Sequence, residues 1–362
     1  MAQASTMEYV VVEGWEQLPT GYAHRDVAGV AVDGEDRVYL ICRGDHPIIV
    51  YDQQGNFLRS WGEGAFTART HGISVGPNGT IFCTDDGNHT VRQFTPEGKL
   101  LLTLGVMHTP SDTGYDGKDL MTITRGAGPF NHPTNIAVGP QGDLYVSDGY
   151  GNCRVHQFSS RGQLKRSWGS PGRGPGEFYL PHGIAVAADG RVFVCDRESD
   201  RIQIFSPDGE YLSEWTDIQR PTHLVFDAQG RSYVSELWWH PGDTSQSLGP
   251  ITQARQGRVS IFAPDGHLLA RWGTPDAPAA GPLCRAARAR RGLHVRRLRA
   301  RGPLDLRGQP RPRPCGLPHV PEVLPPVLSA LASGGTGGSA CRQGQAGCGL
   351  CPSLSPFPCV SP

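Results

Sequence analysis

No apolar run in the 362 residues approaches the roughly 18 needed for a membrane-spanning helix, so no helical membrane span is expected. The opening MAQASTMEYVVVEGW has no basic stretch leading into a long apolar core. A secretory leader is therefore not expected, and the sequence reads as cytoplasmic. Excess charge of one sign is missing too: 34 Lys and Arg balance 34 Asp and Glu. That balance argues against nucleic acid and an anionic membrane as partners. Turn formers are plentiful, with 48 glycines and 31 prolines.

Those turn formers recur in register. Five segments superimpose, beginning at Val27, Arg69, His132, Leu180 and Arg220. Each carries four short apolar or alternating runs separated by turns such as Pro-Asn-Gly, Ala-Asp-Gly and Pro-Asp-Gly. Four antiparallel strands per unit of about 40 residues describe a β-propeller blade. The early EYVVVEGW has no inner strands of its own, and it is expected to add an outer strand to the last blade and close the ring. The fold class is thus all-β, a six-bladed propeller with five legible blades.

A sixth repeat is due after Trp272-Gly273, but the composition changes abruptly there. Lysine disappears, acids nearly vanish, and six of the ten cysteines (284, 315, 341, 348, 351 and 359) follow. The expected division is a propeller over 1–275 and a disordered Arg/Pro/Cys-rich tail over 276–362. Cys348-Gly-Leu-Cys351 is a single CxxC with no second at finger spacing, so it does not argue for a metal. A shifted reading frame is a further reading. One base later, codons for AARARRG at 286–292 permit Pro-His-Gly-Leu-Ala-Val-Asp, the missing blade opening, with a histidine falling at Ala287.

Histidine opens the inner strand in alternate blades: His71 in blade two and His182 in blade four, with Thr134 and Thr222 in blades three and five. With a third at the lost blade, three imidazoles about 120° apart would converge on the channel axis. Three histidines with an open position form a catalytic zinc arrangement. The bland alternative is that each histidine caps a strand or packs in the channel. The second strands end at the same mouth with Arg43, Asp86, Tyr150 and Arg197. Paired arginines suit a carboxylate, and a tyrosine beside a metal suits a general base. Asp85, Asp148 and Asp196 recur in register and read as structural.

The five repeats resemble the NHL repeat over about residues 27–273. RGDH at 43–46, the PHG-type openings, SDGYGNCRVHQFS at 147–159 and DRESDRIQIF at 196–205 resemble the peptidyl-α-hydroxyglycine α-amidating lyases. That resemblance implies a zinc propeller that cleaves a C-terminal α-hydroxyglycine to an amide and glyoxylate. Carried over, it makes His71 and His182 zinc ligands, Tyr150 the catalytic base, and Arg43 and Arg197 the groups holding the substrate carboxylate and hydroxyl. It also makes the carbonyls of Val30 and Ile73 ligands of a structural calcium. The expected partner is a peptide or small molecule with a C-terminal carboxylate. The alternative is a non-catalytic propeller that presents a surface to protein partners.

Overall fold

The computed structural model describes residues 9–12, 14–245 and 249–273, and the strand 297–300; for 9–11 and 297–300 only the backbone is described. Five four-stranded antiparallel sheets follow one another along the chain, each in simple up-and-down order. Their innermost strands are Val27–Val32, Thr70–Val75, Pro133–Val138, Pro181–Val186 and Pro221–Phe226. The second strands, such as Ile81–Asp85, are buried throughout, while outermost strands such as Leu164–Trp168 are exposed or half-buried. Regular helix among the described residues is confined to two three-residue 3₁₀ turns, Leu120–Thr122 and Arg197–Ser199. No helix among them is long and apolar enough to cross a membrane.

The hairpins close through short acidic loops. Asp33 accepts from the backbone amides of Glu35 and Arg37, and Asp227 does the same for Gln229 and Arg231. Side-chain capping of this kind makes an Asp-containing turn the stable reversal between two apolar runs.

Blades are joined by a repeated aromatic contact. Trp61, which ends blade one, lies 5.1 Å from Phe94 of blade two. Trp168 lies 5.8 Å from Phe205 of blade four, and Trp215 lies 5.0 Å from Phe262 of blade five. Each tryptophan also sits under a turn glycine of the next blade. A Cβ at Gly98, Gly209 or Gly266 would meet Trp61, Trp168 or Trp215 inside 3 Å. Trp15 stands in the same relation to blade one: its ring is 5.8 Å from Tyr51, and it underlies Gly55. The N-terminal segment therefore gives blade one the tryptophan contact that a preceding blade gives elsewhere, while the inner strands of the sixth blade it was expected to complete are not among the described residues. Val225 of blade five also packs on the blade-one cluster of Trp15, Val27 and Val30.

Tyr9–Val12 pairs antiparallel with Arg297–Ala300. Those four residues fall within the expected Arg/Pro/Cys-rich tail, and pairing with the N-terminal strand satisfies backbone groups of both segments. The rest of 276–362, including Ala287 and the six cysteines, lies outside the described residues.

Cys42, Cys83, Cys153 and Cys195 are buried in four different blades and form no disulfide. Burial pushes the Cys42 thiol up to about 12. The strand-two acids Asp85, Asp148 and Asp196 are fully buried and pair with Arg92, His156 and Arg201, in keeping with a structural role.

Removing the closing ring should be costly. Trp15→Ala is expected to lower unfolding stability by about 3 kcal/mol, as large-to-small core changes do. Denaturant unfolding checks this, and a loss under about 0.5 kcal/mol would show that Trp15 does not close the ring.

Candidate functional site

The His-Gly dipeptide opening blades two and four has a steric purpose. A Cβ at Gly72 would lie 2.8 Å from the Thr134 carbonyl oxygen, and one at Gly183 would lie 2.5 Å from the Thr222 carbonyl oxygen. Only glycine lets the neighbouring inner strand come this close. The preceding histidine exploits the approach: His71 Nδ1 is 2.8 Å from the Thr134 carbonyl, and His182 Nδ1 is 2.7 Å from the Thr222 carbonyl. A carbonyl only accepts, so each Nδ1 carries the hydrogen and each Nε2 keeps its lone pair.

Both lone pairs face one atom. Tyr150 Oη is 3.2 Å from His71 Nε2 and 3.3 Å from His182 Nε2. The two imidazole centroids are 4.7 Å apart. Arg197 Nη1 donates to the same hydroxyl at 3.1 Å, and its guanidinium carbon lies 5.4 Å from the phenol centroid. Tyr150 has one proton for two nitrogen acceptors, so the arrangement holds more lone pairs than its own hydrogens can satisfy.

The electrostatics keep the imidazoles neutral. Burial, then the positive charge of Arg43, with Arg197 and Arg69 adding, holds His71 down to about 3. Burial and Arg197 likewise keep His182 well below the usual histidine value. Burial alone would lower Arg197, but the Tyr150 oxygen and Glu198 outweigh it and hold the guanidinium firmly charged.

The mouth also holds what the sequence did not reveal. Glu198 bridges two arginines, accepting from Arg197 Nε at 2.8 Å and Arg220 Nη2 at 2.8 Å. Arg220 in turn lies over Trp239, 4.3 Å from its ring centroid. Arg69 donates to buried Asp86 from Nε at 2.6 Å and Nη2 at 3.1 Å. A repeat pattern gives the slot of each residue but not its partner in the next blade.

The structure brings His71, His182, Tyr150 and Arg197 together. Arg43 stands beside them, donating to the Thr70 carbonyl and to Asp26, each at 2.9 Å. Arg43 and Arg197 each already use Nε and one terminal nitrogen. Neither presents an unengaged fork, which qualifies the bidentate grip expected of them. Val30 and Ile73 are buried on adjoining inner strands of blades one and two, and none of the contacts around Tyr150 involves them.

Zinc fits the donor chemistry in part. Two neutral imidazoles present Nε2 lone pairs, with both Nδ1 hydrogens fixed by carbonyls in the manner of metal-ligating histidines. Among the described residues, no group of three His, Cys, Asp or Glu side chains could hold a metal, so no third ligand of those types stands with the two imidazoles.

In the metal-free protein the sign of the pH effect follows. His71 has its folded value lowered from 6.5 to about 3, so between those limits the unfolded chain binds the extra proton. Stability should fall as pH drops below about 6.5, by roughly 1.4 kcal/mol per pH unit for that one group. Histidine ring NMR should show His71 and His182 still neutral at pH 5; a His71 that titrates near 6.5 contradicts the packing described.

Comparison with known proteins supports the architecture and its relatives. The NHL repeat model matches residues 130–158 and 178–205, in blades three and four. Human NHL repeat-containing protein 3 is 32% identical over 238 residues, 61% of this chain and 64% of that protein. A probable peptidyl-α-hydroxyglycine α-amidating lyase of Caenorhabditis elegans is 29% identical over 60% of this chain and 61% of its own length. Peptidyl-α-hydroxyglycine α-amidating lyase 1 of Drosophila melanogaster is 31% identical over 58% of this chain and 41% of its own length. The matches thus span less than two thirds of each relative. A solved streptogramin B lyase structure superposes with a TM-score of 0.51 at 14% identity, covering 77% of each chain, and shows the fold alone. The repeats, the five successive blades and these relatives together make the chain an NHL-repeat β-propeller, related in sequence to the peptidyl-α-hydroxyglycine α-amidating lyases and to NHL repeat-containing protein 3.

Proposed function

We propose that the channel mouth is the site of a lyase that cleaves a C-terminal α-hydroxyglycine to an amide and glyoxylate, with zinc as its metal. One observation carries the reading: His71, His182 and Arg197 converge on the hydroxyl of Tyr150. His71 and His182 would hold the zinc through Nε2, and the metal would supply Lewis acidity to the reacting oxygen.

The protein's own groups account for the remaining steps. Arg43 and Arg197 attract the substrate carboxylate as point charges, each with a terminal nitrogen to spare. Arg197 also donates to the oxygen of Tyr150, the group that takes the proton from the substrate hydroxyl. The C–N bond breaks as that oxygen forms a carbonyl with its carbon. The departing nitrogen keeps the electron pair and receives a proton, giving the amide. The neutral imidazoles add no positive charge and keep their lone pairs available.

A second reading has its own support. Among the described residues no third His, Cys, Asp or Glu joins His71 and His182 in a group that could hold a metal, and one relative is named only for its repeats. A propeller of this kind can present a surface to protein partners without chemistry.

Turnover of an α-hydroxyglycine peptide, followed as glyoxylate released, separates the two. Tyr150→Phe is expected to lower turnover about 10²–10⁴-fold while leaving the fold intact, because only the phenolic oxygen and its proton are removed. Equal turnover by Tyr150→Phe, or none by the unsubstituted protein, favours the interaction propeller.

A further inference from the structure

The lip of the channel carries a charge pattern that the lyase reading does not use. The two residues that face each other across each blade's mouth, one before the inner strand and one after the second, form a salt bridge in blades one and two. In blade one it is Asp26 with Arg43, at 2.9 Å. In blade two the signs are exchanged: Arg69 pairs with Asp86, at 2.6 Å. Blade five repeats the arginine with Arg220, which shares Glu198 with Arg197.

Arg69 is unlike the others in exposure. Its side chain is 55% exposed, against 22% for Arg43, 14% for Arg197 and 19% for Arg220. Its partner Asp86 is 2% exposed. The pair thus has a buried anchor and a solvent-facing cation. Asp86 grips Nε and Nη2, fixing the plane of the guanidinium and leaving Nη1 unengaged.

The anchor is tied to the reacting group. The Asp86 carbonyl is 2.6 Å from His132 Nδ1, and the His132 carbonyl accepts the backbone N–H of Tyr150 at 3.3 Å. Arg43 Nε donates to the carbonyl of Thr70, between Arg69 and His71. Arg69 lies in the turn that leads into the inner strand Thr70–Val75, two residues ahead of His71.

We propose that Arg69, positioned by Asp86, binds a second anionic group on the substrate, namely an acidic side chain on the residue preceding the α-hydroxyglycine. This rests on the lyase reading of the mouth and adds a substrate class to it. A peptide ending in Glu-α-hydroxyglycine would place its terminal carboxylate toward Arg43 and Arg197 and its side-chain carboxylate toward Nη1 of Arg69. The tyrosine of the 105–132 connection reinforces the location: Tyr115 lies 5.9 Å from His132, beside this part of the lip.

Binding of two acetylated dipeptides by calorimetry tests the proposal: N-acetyl-Glu-α-hydroxyglycine and its Gln counterpart, at low salt. The full-length protein should prefer the Glu peptide about tenfold, with the preference shrinking at high salt. Arg69→Gln should bring the preference close to one. Because that change leaves Asp86 buried without its cation, Arg69→Gln/Asp86→Asn serves as a second variant, with circular dichroism to verify folding, and it should lose the preference equally. Equal binding of the two peptides by the unsubstituted protein, or a preference that survives both variants, overturns the role of Arg69 while leaving the lyase reading standing. Binding of neither peptide overturns the lyase reading and this inference together.

Discussion

Two hydrogen bonds between blades set the conditions for everything at the channel mouth. His71 donates from Nδ1 to Thr134 and His182 from Nδ1 to Thr222, each reaching the inner strand of the next blade. The same contacts fix the tautomer, aim the Nε2 lone pairs at Tyr150 and tie blade two to three and blade four to five. They exist because Gly72 and Gly183 have no side chain to hold the strands apart. Hydroxyls complete the seam: Thr84 donates to the Thr134 carbonyl at 2.9 Å, and Ser147 donates to the His182 carbonyl at 2.9 Å. A ligand geometry built into interblade seams is as rigid as the propeller itself.

Neutral imidazoles in a ring of arginines follow from that rigidity. Arg43, Arg69, Arg197 and Arg220 stand at the lip, with Asp26, Asp86 and Glu198 as their anchors. Protonating either histidine would put another positive charge into a buried, already cationic place, so it stays unprotonated. The fixed cations suit an anionic substrate arriving from solvent, although the chain as a whole carries no net charge.

Repetition made the blades legible. Five copies of the same turn chemistry and apolar spacing define the strands, and the alternation of His71, Thr134, His182 and Thr222 at one slot gives their places around the axis. Tyr150 stood out because its neighbours at that level are charged. The salt bridges and carbonyl partners were not legible, because they join residues far apart in sequence: His71 and Thr134 are 63 residues apart, and Arg220 and Glu198 are 22 apart. The closing role of Trp15 was only half legible. EYVVVEGW reads as a strand, but that its tryptophan lies beneath Gly55 is a property of the closed ring.

The central claim is that His71 and His182 offer their Nε2 atoms to a single point. Titrating metal-free protein with Zn²⁺ by calorimetry tests it most directly. The account predicts one zinc site per chain, lost in His71→Ala and lost equally in His182→Ala. Zinc binding that persists unchanged in either variant would contradict it.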